Sequence, residues 1–369
     1  MSLLTPYHSR TLDLPNRIVM APMTRLRSEP DGSPTADVAD YYRQRAGAGL
    51  IITEGMWPHS SGQSEARVPG LATDRHERAW ARVVDAVHAE GGRIVAQLMH
   101  GGRKGHPAAR IDGSVPAGPS AVPDGDVLHL LDGSKAAWPR PAAMSNAEIE
   151  ATVAQYAASA RRAVSAGFDG VELHGANSYL IHQFLAGNTN LRDDRYGGPV
   201  TNRMRFALQV VDAVSDAVGA ARTAIRLSPG NPQFSMVERD PAELYRGLVD
   251  ELSRRGLMYL HLTDNDDYPA LADLRPRFDG TVIANVGENR APTSAPAAER
   301  ALADGADLVS FGRAFIANPD LVERIRRSLP LSAIREDVLY GRTAEGYSDY
   351  RAPRASSAAV GDVQNVHSI

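Results

Sequence analysis

The chain has 369 residues, with 40 basic and 44 acidic side chains for a net charge of −4. That balance gives no electrostatic footprint for nucleic acid or an anionic membrane. There is no cysteine, which excludes disulfides, thiolate metal sites and thiol catalysis. The opening MSLLTPYHSRTLDLPNR lacks an apolar core of the signal-peptide kind. No run of about 18 apolar residues occurs, so a cytoplasmic protein of one large domain is expected.

In chain order, residues 1–17 are expected to form a short hairpin or plug. Apolar runs then recur at Ile18–Met23, Leu50–Gly55, Ile94–His100, Gly170–Gly175, Thr223–Pro229, Met258–Thr263, Thr281–Val286 and Leu308–Gly312. They are rich in Val, Ile and Leu and do not alternate, as strands buried on both faces should not. Helices are predicted between them at about 35–46, 74–90, 145–166, 201–218, 240–255, 268–277, 291–304 and 314–328. Ser145 before Asn146-Ala147-Glu148, and Thr201 before Asn202, read as helix starts. Eight strand–helix pairs predict a (β/α)8 barrel, with a doubly wound open sheet as the alternative. A dinucleotide-binding version of that alternative needs G-x-G-x-x-G after an early strand, and none is present. Residues 105–144 form a long Gly/Pro-rich insertion of lid-like character after strand 3. Residues 1–351 are expected to be one domain, and the small, polar tail 352–369 to be poorly ordered.

Working residues of such barrels gather at the C-terminal ends of the strands. Those ends carry Pro22, Met23 and Thr24; Gly55; Gln97 and His100; His174 with Asn177 and Tyr179; Arg226; Asn285, Val286 and Gly287; and Gly312 with Arg313. No carboxylate or histidine cluster has metal-ligand spacing, so no metal is expected. The only lysines, Lys104 and Lys135, lie outside the predicted strands, which disfavours Schiff-base chemistry. The remaining ring of neutral hydrogen-bonding groups, arginines and glycines suits a flat, polar-edged cofactor with a phosphate. Gly287, Gly312 and Arg313 could hold that phosphate, or Gly312-Arg313 could simply be a tight turn starting a helix. Arg226 within Thr223-Ala224-Ile225-Arg226-Leu227 must be paired, either with an acid such as Glu172 or with a ring that becomes anionic on reduction. A buried Gln97 likewise needs partners, and a flavin pyrimidine edge would supply a donor and an acceptor.

These residues carry a resemblance. NRIVMAPMTRLRS (16–28), AQLMHGGR (96–103), VELHGANSYLIHQFL with NLRDDRYGGPVTNR (171–203), FGRAFIANPDLVERI (311–325) and AEGYSDY (344–350) occur in order, and together they resemble the Old Yellow Enzyme family of flavin-dependent ene-reductases. The pattern is similar to the bacterial pentaerythritol tetranitrate, morphinone and N-ethylmaleimide reductases. The resemblance implies an eight-stranded barrel holding FMN, with NADPH or NADH as hydride donor, acting as a monomer or homodimer. It assigns Pro22, Met23, Thr24, Gly55, Gln97 and Arg226 to the flavin ring. It assigns Asn285, Val286, Gly287, Gly312 and Arg313 to the phosphate. His174 and Asn177 fall on the pair that grips the substrate oxygen, and Tyr179 on the proton donor, with Met99 and Tyr347 also at the substrate. The implied reaction is a ping-pong reduction of the activated C=C bond of an α,β-unsaturated carbonyl or nitro compound. A specialised biosynthetic reductase or isomerase is the alternative, and a non-catalytic flavin-binding barrel is a lesser one.

There are departures from the family pattern. Met99 stands where many relatives have an aromatic residue. In QSEARVPG, Glu65 or Arg67 replaces another aromatic, and the strand-7 loop NVGENRAPTSAP is long and polar. His182 lies eight residues beyond His174 and is read as structural. For HGANSY itself, a capping Asn beside two half-buried rings remains the plain alternative to a substrate site.

Overall fold

The computed structural model describes residues 2–130, 134–231, 235–265, 267–287, 292–341 and 343–350. Eight parallel strands close into a barrel: β1 (Ile18–Met20), β2 (Leu50–Ile52), β3 (Ile94–Leu98), β4 (Gly170–Gly175), β5 (Thr223–Leu227), β6 (Leu260–Thr263), β7 (Val282–Asn285) and β8 (Leu308–Phe311). Each pairs with the next, and β8 returns to β1. The (β/α)8 expectation therefore holds and the open sheet does not. All eight predicted runs contain a strand. Several runs extend past the end of the ladder, because the chain leaves it there and turns over the barrel mouth.

The helices that cover the barrel are α1 (Ala36–Arg43), α2 (Asp74–Ala89), α3 (Asn146–Ser165), α4 (Arg205–Val218), α5 (Pro241–Ser253), α6 (Ala270–Leu274), α7 (Ala295–Ala303) and α8 (Leu321–Arg326). In α2 the apolar positions Trp80, Val83, Val84 and Val87 recur at helical spacing, and all are buried against the sheet. Ser145 caps α3 as expected: its Oγ accepts from the Glu148 N–H at 3.3 Å, and Glu148 Oε2 accepts from the Ser145 N–H at 2.7 Å. Thr201 starts no long helix. It lies inside a short turn of helix, Val200–Arg203, that precedes α4. The predicted helix at 314–328 is likewise two pieces, Arg313–Ala317 and α8.

Residues Tyr7–His8 pair antiparallel with Asp13–Leu14, so the N-terminal hairpin is present. Tyr7, Leu12 and Leu14 cluster with Val19, Leu50, Val95, Ile283 and Leu308 from the strands, sealing the barrel at the end opposite the site. The insertion after β3 carries small strand pairs of its own, Ala117–Gly118 with Ala142–Ala143 and Val127–His129 with Lys135–Ala137. It packs Ala109, Leu128 and Trp138 against Ala66 of the β2 loop. The tail 352–369 lies outside the described residues. Among the described residues no helix is long and apolar enough to cross a membrane, and no cluster of three metal-ligating side chains occurs.

Candidate active site at the barrel mouth

The parallel register aligns the polar residues of neighbouring strands. Gln97 lies opposite Glu172, His174 opposite Arg226, Arg226 opposite His261, and Thr263 opposite Asn285. Inside the barrel this makes a continuous polar network. Gln97 Nε2 donates to Glu172 Oε1 at 2.7 Å, His261 Nδ1 lies 2.9 Å from Glu172 Oε2, and His261 Nε2 lies 2.9 Å from Ser310 Oγ. Burial opposes ionisation of Glu172, but His261, Arg226 and Gln97 together hold its carboxyl below the usual range. Burial lowers His261 despite that neighbour, so the pair is a neutral imidazole donating to a carboxylate.

Arg226 is buried, yet it makes no contact ion pair with an acid among the described residues. Its Nη2 donates to Asn285 Oδ1 at 3.0 Å and to Thr263 Oγ1 at 3.4 Å, and its Nε is buried without a partner among the described residues. Glu172 acts on it only through space. Of the two pairings open for Arg226, a contact pair with Glu172 is absent. Gln97 has committed one amide hydrogen to Glu172, and no donor among the described residues reaches its Oε1.

At the end of β4, His174 is 4 % exposed, and its Nδ1 accepts from the Ala176 N–H at 3.3 Å. Burial, reinforced by Arg226 and by the two other histidines nearby, drives its pKa well below the usual histidine range. A neutral ring with Nδ1 accepting must carry its proton on Nε2, which makes His174 a hydrogen-bond donor. Tyr179 meets this ring edge-on with centroids 4.8 Å apart. Its own ring packs beside Trp57, Val68 and Met99, and its hydroxyl has no partner among the described residues. Burial, then Glu65 and Tyr340, push the phenol well above its usual range, so it holds its proton. Between them Asn177 and Ser178 both take left-handed backbone, φ 53° and 63°. Two such non-glycine residues in succession cost about 1–2 kcal/mol each. The turn is held by Asn177 N–H to Ser228 Oγ at 3.0 Å and Ser178 N–H to His182 Nδ1 at 3.1 Å.

Pro22, Met23 and Thr24 are half-exposed at the end of β1. Gly312 lies beside them, and a Cβ there would meet nothing closer than Met23 Sδ at 3.6 Å. Several expected residues stand elsewhere than expected. The bare face of Gly55 is turned to Met99, whose Sδ an added Cβ would meet at 2.6 Å. Met99 is 1 % exposed and backs Tyr179 from below, so it offers no surface to a substrate. Tyr347 is fully buried and stacked on Tyr41 at 4.1 Å and 5°, so it too leaves the substrate list. Its segment is a buttress: Arg25 Nη2 donates to Gly346 O at 2.8 Å, and Arg25 and Arg27 both lie over the Tyr347 ring. Asn285 faces inward, orienting Arg226 and donating to Ser310 O at 3.1 Å, rather than turning to a phosphate. Val286 is half-buried against the core and Gly287 is exposed; the loop continues into residues 288–291, outside the described ones. Arg313 is exposed and paired with Glu336, so an anion would have to compete for it.

Sequence reasoning missed Tyr340, which is 62 % exposed and within electrostatic reach of Tyr179. The signal was present, since it lies a few residues before the AEGYSDY stretch, whose Tyr347 turns into the core instead. Ser228 and Glu238 were also missed. Their relevance depends on a loop folding back onto β4, which no local pattern announces. Glu65 is half-buried and in electrostatic reach of Tyr179, whereas Arg67 turns away, its Nη1 donating to Ser28 O at 3.1 Å.

Residues 2–332 match the model of the NADH:flavin oxidoreductase / NADH oxidase family. The chain is 37 % identical over 374 residues to 12-oxophytodienoate reductase 7 of Oryza sativa subsp. japonica, covering 94 % of each chain. It is 39 % identical over 345 residues to a probable flavin mononucleotide-dependent alkene reductase of Leishmania infantum, covering 91 % of this chain and 93 % of that one. Among solved structures, an old yellow enzyme homologue from Zymomonas mobilis superposes with TM-score 0.91 at 35 % identity, over 95 % of this chain and all of that one. Morphinone reductase in complex with tetrahydroNAD superposes with TM-score 0.89 at 42 % identity, over 95 % and 97 % of the two chains. The chain belongs to the FMN-dependent NADH:flavin oxidoreductase / NADH oxidase family, and it is a nicotinamide-dependent flavin oxidoreductase of the Old Yellow Enzyme type.

Proposed function

We propose that this protein reduces the activated C=C bond of α,β-unsaturated carbonyl or nitro compounds, alternating with oxidation of NADPH or NADH at the same site. One observation carries the reading. A neutral His174 with its proton on Nε2 and a protonated Tyr179 lie 4.8 Å apart, with Asn177 on the turn between them. That is a donor pair for an oxygen beside an acid for carbon, and a pure flavin binder has no use for it.

The residues present suit FMN. The partnerless Nε of buried Arg226 and the unmatched Oε1 of Gln97 are polar atoms of the kind a ring edge would satisfy. The half-open Pro22, Met23 and Thr24 would lie along the ring, and the uncrowded Gly312 would take the phosphate, with Arg313 exchanging Glu336 for it. Bound there, FMN supplies two-electron hydride chemistry. The protein does the rest. His174 Nε2–H and the Asn177 amide hydrogen-bond the substrate oxygen and stabilise the negative charge that develops on it. Tyr179 holds a proton at its hydroxyl and delivers it to Cα. Arg226, braced by Asn285, keeps a positive charge under the site.

Added FMN should give a yellow protein whose NAD(P)H oxidation is stimulated by cyclohexenone. A folded, colourless preparation that ignores FMN would overturn the reading. A second reading, a specialised biosynthetic reductase or isomerase, is favoured by the curated relatives named for one substrate, 12-oxophytodienoate. Retained FMN and slow NAD(P)H oxidation, with no response to simple enones, would select it.

A further inference from the structure

We propose that His182, Glu238 and Ser228 are positioning residues that hold the Asn177–Tyr179 turn in working register by tying it to the loop after β5. The proposal rests on the reading above, in which Asn177 and Tyr179 serve the substrate. Read from sequence, His182 has no part in the chemistry. In the structure it contacts the backbone of the turn that presents both groups.

The geometry is continuous. Ser178 N–H donates to His182 Nδ1 at 3.1 Å, which leaves the His182 proton on Nε2, facing Glu238 Oε1 at 3.1 Å. Glu238 is then fully engaged: the Tyr245 hydroxyl donates to Oε1 at 2.6 Å and the Gly230 N–H to Oε2 at 2.7 Å. The His182 and Glu238 side chains are 0 % and 2 % exposed. Ser228, at the start of the same loop, takes the Asn177 N–H at 3.0 Å, and Gln183 Nε2 closes the turn by donating to Ser178 O at 2.6 Å. So both left-handed residues have their N–H groups gripped by one loop, Ser228 directly and Glu238 through His182. A buried polar chain is a poor means of adding stability, since apolar residues of similar volume do as well or better. It does fix direction. Left-handed backbone at two non-glycine residues persists only where surroundings over-determine it. Relaxing the turn by about 1 Å would carry Asn177 and Tyr179 off the substrate, a displacement that can cost about 10²-fold in rate.

The test compares H182L, H182N and S228A with the wild-type holoenzyme. It follows the NAD(P)H-oxidising and alkene-reducing half-reactions separately, together with the dissociation constant of a phenol as a probe of the oxygen clamp. Asn keeps an acceptor near the position of Nδ1 but not the donor to Glu238, so it should restore part of what Leu removes. In H182L the alkene half-reaction should fall about 10- to 100-fold and the phenol bind more weakly, with NAD(P)H oxidation within about twofold of wild type. H182N should recover only part of that loss, since it takes the Ser178 N–H but does not reach Glu238, and S228A should show a smaller change of the same sign. Wild-type behaviour in H182L, equal loss in H182L and H182N, or parallel loss of both half-reactions overturns the proposal. Should H182L fail to fold, H182N and S228A decide: an alkene half-reaction unaltered in S228A overturns it. If the wild-type enzyme reduces no enone, the proposed function falls instead. The phenol constants still test the positioning, which is refuted if they do not change across the variants.

Discussion

Tyr179→Phe separates the proton from everything else this residue does. The ring packs beside Trp57, Val68 and Met99 and meets His174 at 4.8 Å, all of which Phe retains. The hydroxyl has no partner among the described residues, so nothing buried is orphaned by its loss, and stability should change by no more than about 0.5 kcal/mol. The phenol is held protonated by burial and by the nearby Glu65, so the group removed is an acid and not a base. A positioned general acid contributes about 10²- to 10⁴-fold, equivalent to roughly 2.7–5.4 kcal/mol of barrier. Stopped-flow absorbance under anaerobic conditions can follow the two half-reactions separately. NAD(P)H oxidation should proceed at the wild-type rate, while cyclohexenone reduction should fall by that factor. Reduction of a nitro group, which depends less on this proton, should fall little. Equal loss in both half-reactions would make Tyr179 structural, and undiminished enone reduction would move the acid elsewhere.

Other consequences follow from the same geometry. His174→Ala removes the Nε2–H donor and should weaken binding of a phenol about tenfold or more in a visible titration; unchanged binding contradicts the clamp. Arg226→Lys keeps the charge but loses the planar fork that reaches Asn285 and Thr263. FMN should then bind about 10- to 100-fold more weakly in a fluorescence titration of apoprotein, the loss of one charge-assisted hydrogen bond. Glu54 is buried behind Arg25 and Tyr42, and burial raises its carboxyl from 4.5 to about 7. The unfolded chain therefore releases this proton first, and stability falls as pH rises from 4.5 to about 7. The loss across that range is on the order of 3 kcal/mol. Glu54→Gln should flatten that fall and raise Tm above pH 7 in calorimetric scans; an unchanged pH profile would remove Glu54 as its source.

The strand ends show how far local pattern reaches. His174, Asn177 and Tyr179 stood out in the sequence because polar side chains in and just beyond a buried strand are costly unless they find partners. Gln97 and Arg226 stood out for the same reason. What the sequence leaves open has one cause, the direction a side chain takes after the backbone is placed. Tyr347 and Tyr340 are both near the C-terminal end of the described chain, but Tyr41, Arg25 and Arg27 draw the first inward. Asn285 ends a strand as predicted and then turns toward Arg226. Arg313 begins a short helix where one longer helix was expected, and its side chain pairs with Glu336, which lies on a remote turn.

Sequence alone therefore determined the alternation of strand and helix, the barrel, and the ring of residues at its mouth. Those depend on hydrophobic period and on the expense of burying polar groups, which are properties of neighbours along the chain. Only the tertiary structure decided which His174 nitrogen carries the proton, and that Arg226 has no acid in contact among the described residues. It also decided that His182 braces the turn through Glu238. Each of these depends on a partner brought close by barrel closure across a sequence separation that local pattern does not span.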